Sequence, residues 1–286
     1  MRQSKNIINE HMPLAEAITP YEVAVCKQAG IPCFRGILYE QMNDDFGRPI
    51  LKEVSHNTVV LGGAILALEH LCNATATFKP ATLNTIYSIN QAVTGSNASS
   101  FISLFGVGTD GSGLEFNSVN ATNIKAREVP AFIPLRSTAS LTGTDAAKYF
   151  LKKLNADNTT YSYYLKEFDS TPTIKSLWKD AADTDADGTE ITQEVYNSAR
   201  TEGIESFAEF SIKLNVNDVR EYFIANGNAD MARYNTLGLF TGQKVEITTG
   251  VFDYVNVRLF SYTNFDNKPV KDKTEASYLY RVFSLV

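Results

Sequence analysis

Four segments decide the fold: ESFAEFSIKL (205–214), ARYNTLGLFTG (232–242), DYVNVRLFSYTNF (253–265) and TEASYLYRVFSLV (274–286). In the first, Ala208, Phe210, Ile212 and Leu214 alternate with Glu209, Ser211 and Lys213. That period of two is the pattern of a strand with one buried face. In the last, Leu279, Phe283 and Leu285 share a face with Ser277 and Arg281, while Tyr278, Tyr280, Val282 and Val286 take the other. Both faces are largely apolar or aromatic, so this strand is expected to be covered on both sides and to use its end structurally. Residues 216–225 read as a short helix capped by Asn215 or Asn217, and Thr241-Gly242 and Asp266-Asn267 read as turns between strands. The expected fold class is α+β and β-rich: a C-terminal, mainly antiparallel sheet or sandwich with a few helices.

The remainder of the chain divides into a polar N-terminal arm (1–20), a mixed α/β region with loops (21–204) and the C-terminal β unit (205–286). A helix is expected from Thr19-Pro20 to Gly30, since threonine caps and proline suits the first helical position. HNTVVLGGAILALEHLC (56–72) is apolar nearly all round, which predicts a buried helix near 57–72. Gly62-Gly63 weakens it by roughly 1 kcal/mol per glycine unless another backbone must come close there. His56 and His70 beside it suit hydrogen-bonded or solvent-edge positions better than ligand roles. SFISLFGVGTDGSGLEF (100–116) is a strand running into Gly106, Gly108, Gly111 and Gly113. This is formally a G-x-G-x-x-G, but turn chemistry and another extended run follow where a dinucleotide fingerprint needs a helix. Residues 125–142, with Pro130 and Pro134, suit an edge or irregular strand. A helix over 146–154, an aromatic strand over 159–168 and a turn over Asp169–Pro172 complete the expectation.

Composition narrows the function classes. The chain has 286 residues, 44% apolar and 20% charged, with a net charge of −6, an ordinary globular balance that lacks the basic stripe of a nucleic-acid surface. Cys26, Cys33 and Cys72 form no C-x-x-C pair and read as reduced, buried small hydrophobes. MRQSKNIINEHMPL lacks a signal peptide's apolar core, and no apolar run approaches the roughly 18 residues of a membrane span. The expectation is a soluble protein made in a cytoplasm.

The sharpest chemical motif is DTDADGTEITQE, in which Asp183, Asp185, Asp187, Gly188 and Glu194 occupy positions 1, 3, 5, 6 and 12 of a calcium loop. Glu190 stands where an aliphatic residue belongs and no second hand is present, so an acidic solvated loop explains the same residues and no metal site is assigned. The Asn-x-Ser/Thr triplets at Asn73, Asn97, Asn120 and Asn158 are about as many as chance supplies. With no nucleophile elbow and no H-E-x-x-H, the sequence nominates no catalytic residue and no cofactor. Arg233 and Arg258, both in aromatic strands, have the composition of an interface. Arginines stacked on their own sheet would read the same way.

Taken in order, NTVVLGGAILALEHL, FGVGTDGSG, FDSTPTIKSLW, ESFAEFSIKLNVNDVREYF, ARYNTLGLFTG and VRLFSYTNFDNKPVKDKTEASYLYRVF resemble virion structural proteins of tailed bacteriophages. The likeness spans about residues 56–286 and is carried most closely by Asn235-Thr236-Leu237-Gly238-Leu239-Phe240 and Arg258-Leu259-Phe260-Ser261. The resemblance implies a non-enzymatic subunit of a ring in the neck, collar, tail or baseplate, located in the virion. Its partners would be other virion proteins and copies of itself, without membrane or direct nucleic-acid contact. The alternative from a different class is a calcium-dependent carbohydrate- or ligand-binding module using the acidic loop and exposed tyrosines.

Overall fold

In the computed structural model the described residues are 33–43, 46–59, 61–72, 77, 100–109, 132–137, 141, 143–178, 189–190, 204–270 and 275–285. The fold is β-rich, with two antiparallel sheets and few helices. The expected arm (1–20), the helix after Thr19-Pro20, the acidic loop residues Asp183, Asp185, Asp187 and Glu194, and Cys26 lie outside the described residues.

The first sheet is built around β12 (Ala276–Leu285). It pairs with β9 (Ile204–Leu214) on one edge, Tyr280 opposite Phe210 and Phe283 opposite Phe207. On the other edge it pairs with β1 (Cys33–Asn43), Leu38 opposite Tyr280. The sheet continues to β2 (Pro49–Val59) beyond β1, and to β7 (Thr173–Trp178) and β8 (Thr189–Glu190) beyond β9. Tyr278 and Tyr280 have no exposed surface on one face of β12, and Arg281 and Phe283 are buried on the other, as the two apolar faces required. Phe207 and Phe283 pack with ring centroids 5.0 Å apart in a core shared with Ile37, Tyr39 and Leu177.

The second sheet centres on a long hairpin, β10 (Arg233–Thr248) with β11 (Val251–Pro269). On the free edge of β10 lies β3 (Phe101–Gly108), then β6 (Tyr161–Glu167), which also pairs with β4 (Arg136–Ser137) and β5 (Tyr149–Leu154). One face buries Leu104, Phe132, Phe150, Leu165, Phe240, Val257 and Leu259 in a continuous aromatic and aliphatic core. The chain forms two compact units: the described parts of 58–167 and 215–274 make one, and those of 17–57, 168–214 and 275–286 the other.

Several expectations change for physical reasons. The segment 205–286 does not form one run of neighbouring strands: β9 and β12 pair with each other in one sheet, β10 and β11 in the other. Thr241-Gly242 is not a turn. Gly242 lies inside β10, where a Cβ would come within 2.9 Å of the Tyr254 ring, so glycine there makes room for packing. The chain reverses instead around Gly250, at φ 78°, and Asp266-Asn267 likewise stays within β11. Residues 146–154 are not a helix: a 3-10 turn (Gly143–Lys148) leads into β5, whose Phe150 pairs with Leu165. Pairing with the aromatic β6 outweighs the helical preference of alanine, lysine and leucine.

The helix expected near 57–72 is present as α1 (Leu61–Cys72), but 56–59 belongs to β2. Coverage is one-sided: Leu68 is 59% exposed, while Gly63 is buried against β11. A Cβ on Gly63 would collide with the carbonyl oxygen of Phe260. This is the close backbone approach that excuses a glycine inside a helix. Gly63→Ala should therefore lower the melting temperature, although alanine favours an isolated helix by up to about 1 kcal/mol. A variant melting above the parent would show the helix free to shift. Phe283→Ala should lose about 3–5 kcal/mol in urea unfolding, as expected for a large aromatic removed from a core.

Candidate interaction surface

Ionisable groups already committed to the fold are not free for chemistry. Helix α2 (Asn217–Ala225) carries Asp218 in its first turn, and that residue has no exposed surface. Its carboxylate accepts the Tyr149 hydroxyl at 2.6 Å, the Lys166 ammonium at 3.0 Å and the Asn215 N–H at 3.0 Å. Arg136 stands 3.7 Å from the same carboxylate, and its Nε pairs with Glu221 at 2.8 Å. Glu221 also accepts the Ser137 N–H. The helix start is tied down reciprocally: Asn215 Oδ1 accepts the Asn217 N–H while Asp218 accepts that of Asn215. The cap expected at Asn215 or Asn217 is thus Asn215 working with Asp218, although neither occupies the N-cap position, which is Val216. Burial, then the charge of Asp218, pushes the Tyr149 phenol far up. A buried carboxylate met by this many donors is a fixed strut between helix and sheet.

The other unit carries a second such cluster. Glu209 on β9 accepts Lys175 at 2.8 Å and Arg281 Nε at 2.9 Å. The Arg281 guanidinium also lies over the rings of Tyr39 and Phe207, at 5.1 and 4.7 Å. Burial alone raises the Glu209 carboxyl, but the hydrogen bonds from Lys175 and Arg281 outweigh it and hold the group below its ordinary value.

Exposed apolar side chains gather at strand ends and edges. β12 pairs with β1 only as far as Glu40 opposite Tyr278, and beyond it residues 41–43 pair with β2. On this ribbon Met42 and Ile50 face each other across the strands, each 44% exposed, and Phe46 at the bend is 84% exposed with Arg48 over its ring at 5.2 Å. In the same unit Ile174 on β7 is 82% exposed. The β10–β11 hairpin ends in exposed Val251 and Phe252. That end is braced by Lys244, which bonds Glu167 at 2.6 Å and lies over Phe150, Phe252 and Tyr254. Glu167 also accepts the Tyr254 hydroxyl at 2.8 Å, and burial, then this bond, pushes that phenol up. Large apolar side chains exposed together on ribbons and edges are the mark of interaction surface.

The residues singled out in the sequence fare unevenly. Arg233 is half-buried on β10 and Arg258 is buried, so neither belongs to the exposed surface described above. The missed signal was Phe46, an aromatic side chain in the turn-forming run Asp44-Asp45-Phe46-Gly47. His70 is exposed, within 3.0 Å of the Ser100 carbonyl and stacked on Phe101, the hydrogen-bonded solvent-edge position expected of it. Gly106 and Gly108 lie in β3, while Gly111 and Gly113 fall outside the described residues. Among the described residues no group of three His, Cys, Asp or Glu side chains could hold a metal ion, and no helix is long and apolar enough to cross a membrane. No protein-family model, curated protein or solved structure matches the chain.

The Glu209 cluster predicts an acid-side effect whose sign is fixed. Its folded carboxyl lies below the ordinary 4.5, so its contribution is present above that pH and is lost as pH falls through the folded value. Melting temperatures from pH 7 to pH 3 should fall less steeply below about pH 4.5 in Glu209→Gln than in the parent. Parallel curves would show that the carboxylate is not coupled to folding.

Proposed function

We propose that this chain is a non-enzymatic structural subunit of a tailed-bacteriophage virion, one member of a ring in the neck, collar, tail or baseplate. The observation that carries this reading is the exposed Met42–Phe46–Ile50 surface on a two-stranded ribbon. Such ribbons are marginal in water unless something packs on them. The sequence resemblance over residues 56–286 supports the same reading, as does the commitment of Asp218, Tyr149, Lys166, Glu209 and Arg281 to internal bonds. A ring repeats one contact in which two different patches of the same chain meet, and exposed apolar residues occur in both units, at Phe46 in one and Phe252 in the other. The partners on this reading are copies of the chain and other virion proteins, and the net charge of −6 suits those better than packaged DNA.

The test combines Met42→Ser, Phe46→Ser and Ile50→Ser in one chain. The three side chains are well exposed, so the melting temperature should stay within a few degrees of the parent, each surface change costing about 0.5 kcal/mol or less. Native mass spectrometry and incorporation into particles should show assembly lost, because a stable contact buries about 1,000 Å² or more and this surface would lie inside it. A parent chain that is strictly monomeric and absent from virions would remove the proposal.

A further inference from the structure

The aromatic core occupies one face of the β10–β11 sheet, and the opposite face carries an anomaly. Val257 and Leu259 point into the core, so Arg258 between them points away from it. On β10 the Cβ direction of Gly242 meets Tyr254 and Val257 of the core, which turns Thr241 and Gln243 to the side of Arg258. Thr241 is directly opposite Arg258 and its hydroxyl is spent on the Arg258 carbonyl. Between Thr241 and Gln243 the register slips, and Asn256 on β11 takes φ 55°. A bulge of this kind re-aims the side chains beside it.

Arg258 is only 9% exposed, and its Nε is buried without a hydrogen-bond acceptor. Among the described residues no carboxylate pairs with it, in contrast to the buried cations Lys166 and Arg281, each of which bonds an acid. Gln243 Oε1 on the same face is also buried without a donor. The other orientation of that amide turns an N–H to the same place, and oxygen and nitrogen exchange readily in such assignments. A guanidinium keeps its charge when buried, and an isolated buried charge is among the costliest features a fold can carry. Its planar fork matches a carboxylate or other oxyanion.

We propose that Arg258, with the Gln243 amide on the same face of the sheet, is a receptor for one oxyanion of carboxylate type. The proposal stands apart from the virion reading, because it rests on the unpaired guanidinium alone. The anion comes from one of two sources with the same chemistry: a free carboxylate, or an acidic side chain of a second copy.

The experiment compares the full chain with Arg258→Met and Arg258→Lys by thermal melting. Sodium acetate is titrated against sodium chloride at equal ionic strength, and the protein concentration is varied 100-fold. In chloride and dilute protein, Arg258→Met should melt at or above the parent, because an unpaired buried charge has been replaced by an apolar chain of similar length. A free-anion site predicts an acetate-specific rise of several degrees in the parent, smaller in Arg258→Lys and absent in Arg258→Met. A second copy as the source predicts a melting temperature that rises with concentration in the parent and not in Arg258→Met. An Arg258→Met chain that melts well below the parent or fails to fold would overturn the proposal, by showing that the guanidinium already has its counter-charge. So would a parent that responds to neither acetate nor concentration.

Discussion

Strand β12 is buried on both faces, and a strand so placed must also have its backbone groups paired on both edges, because buried unpaired amides are costly. Its neighbours are remote in sequence: β9 starts at Ile204 and β1 at Cys33. The side chains fix the register. Tyr280 lies opposite Phe210 on one edge and Leu38 on the other, and a slip of β12 by one residue would turn Arg281 onto the tyrosine face and away from Glu209. The Glu209–Arg281 bond across the β9–β12 pair therefore acts as a register marker as well as an ion pair.

The two sheets handle polar interior groups in the same way. Asp218 and Glu209 each accept from two or more side chains, and both clusters place a cation over an aromatic ring, Lys166 over Tyr149 and Arg281 over Phe207. The ring offers its negative face to the part of the cation that the carboxylate does not cover. Such clusters are worth little over a well-packed apolar pair but are costly when broken, so they favour one arrangement of strands over its near alternatives. Among the described buried cations Arg258 is the exception.

The distribution of exposed apolar residues follows from strand length. β10 has 16 residues and β11 has 19, longer than the eight-residue β3 they pair with, so the hairpin overruns its neighbour and presents Val251 and Phe252. The β1–β2 ribbon overruns β12 in the same way and presents Met42, Phe46 and Ile50. Ribbons that outgrow a sheet leave some side chains that the sheet itself does not cover, although Leu51 of β2 still packs on the core around Tyr39 and Phe207.

The sequence by itself determined the β-rich class and the main C-terminal strands, because alternation at 205–214 and two apolar faces at 276–285 admit few other structures. It also placed a short helix at 216–225 with Asn215 as one candidate cap, where the structure has 217–225, and an irregular, proline-containing run at 125–142, of which 132–137 are described. Tertiary structure alone decided which strands are neighbours. The pairing of β12 with β1 joins residues more than 200 positions apart, and no local pattern encodes it. It also overrode local signals at Gly242 and at 149–154, where glycine made space for Tyr254 and helix-forming residues were drawn into pairing with β6. The exposed apolar surface was legible only in part. Arg258 looked like an interface residue from its aromatic setting, yet exposure depends on what folds over a strand, and that is a property of the whole chain.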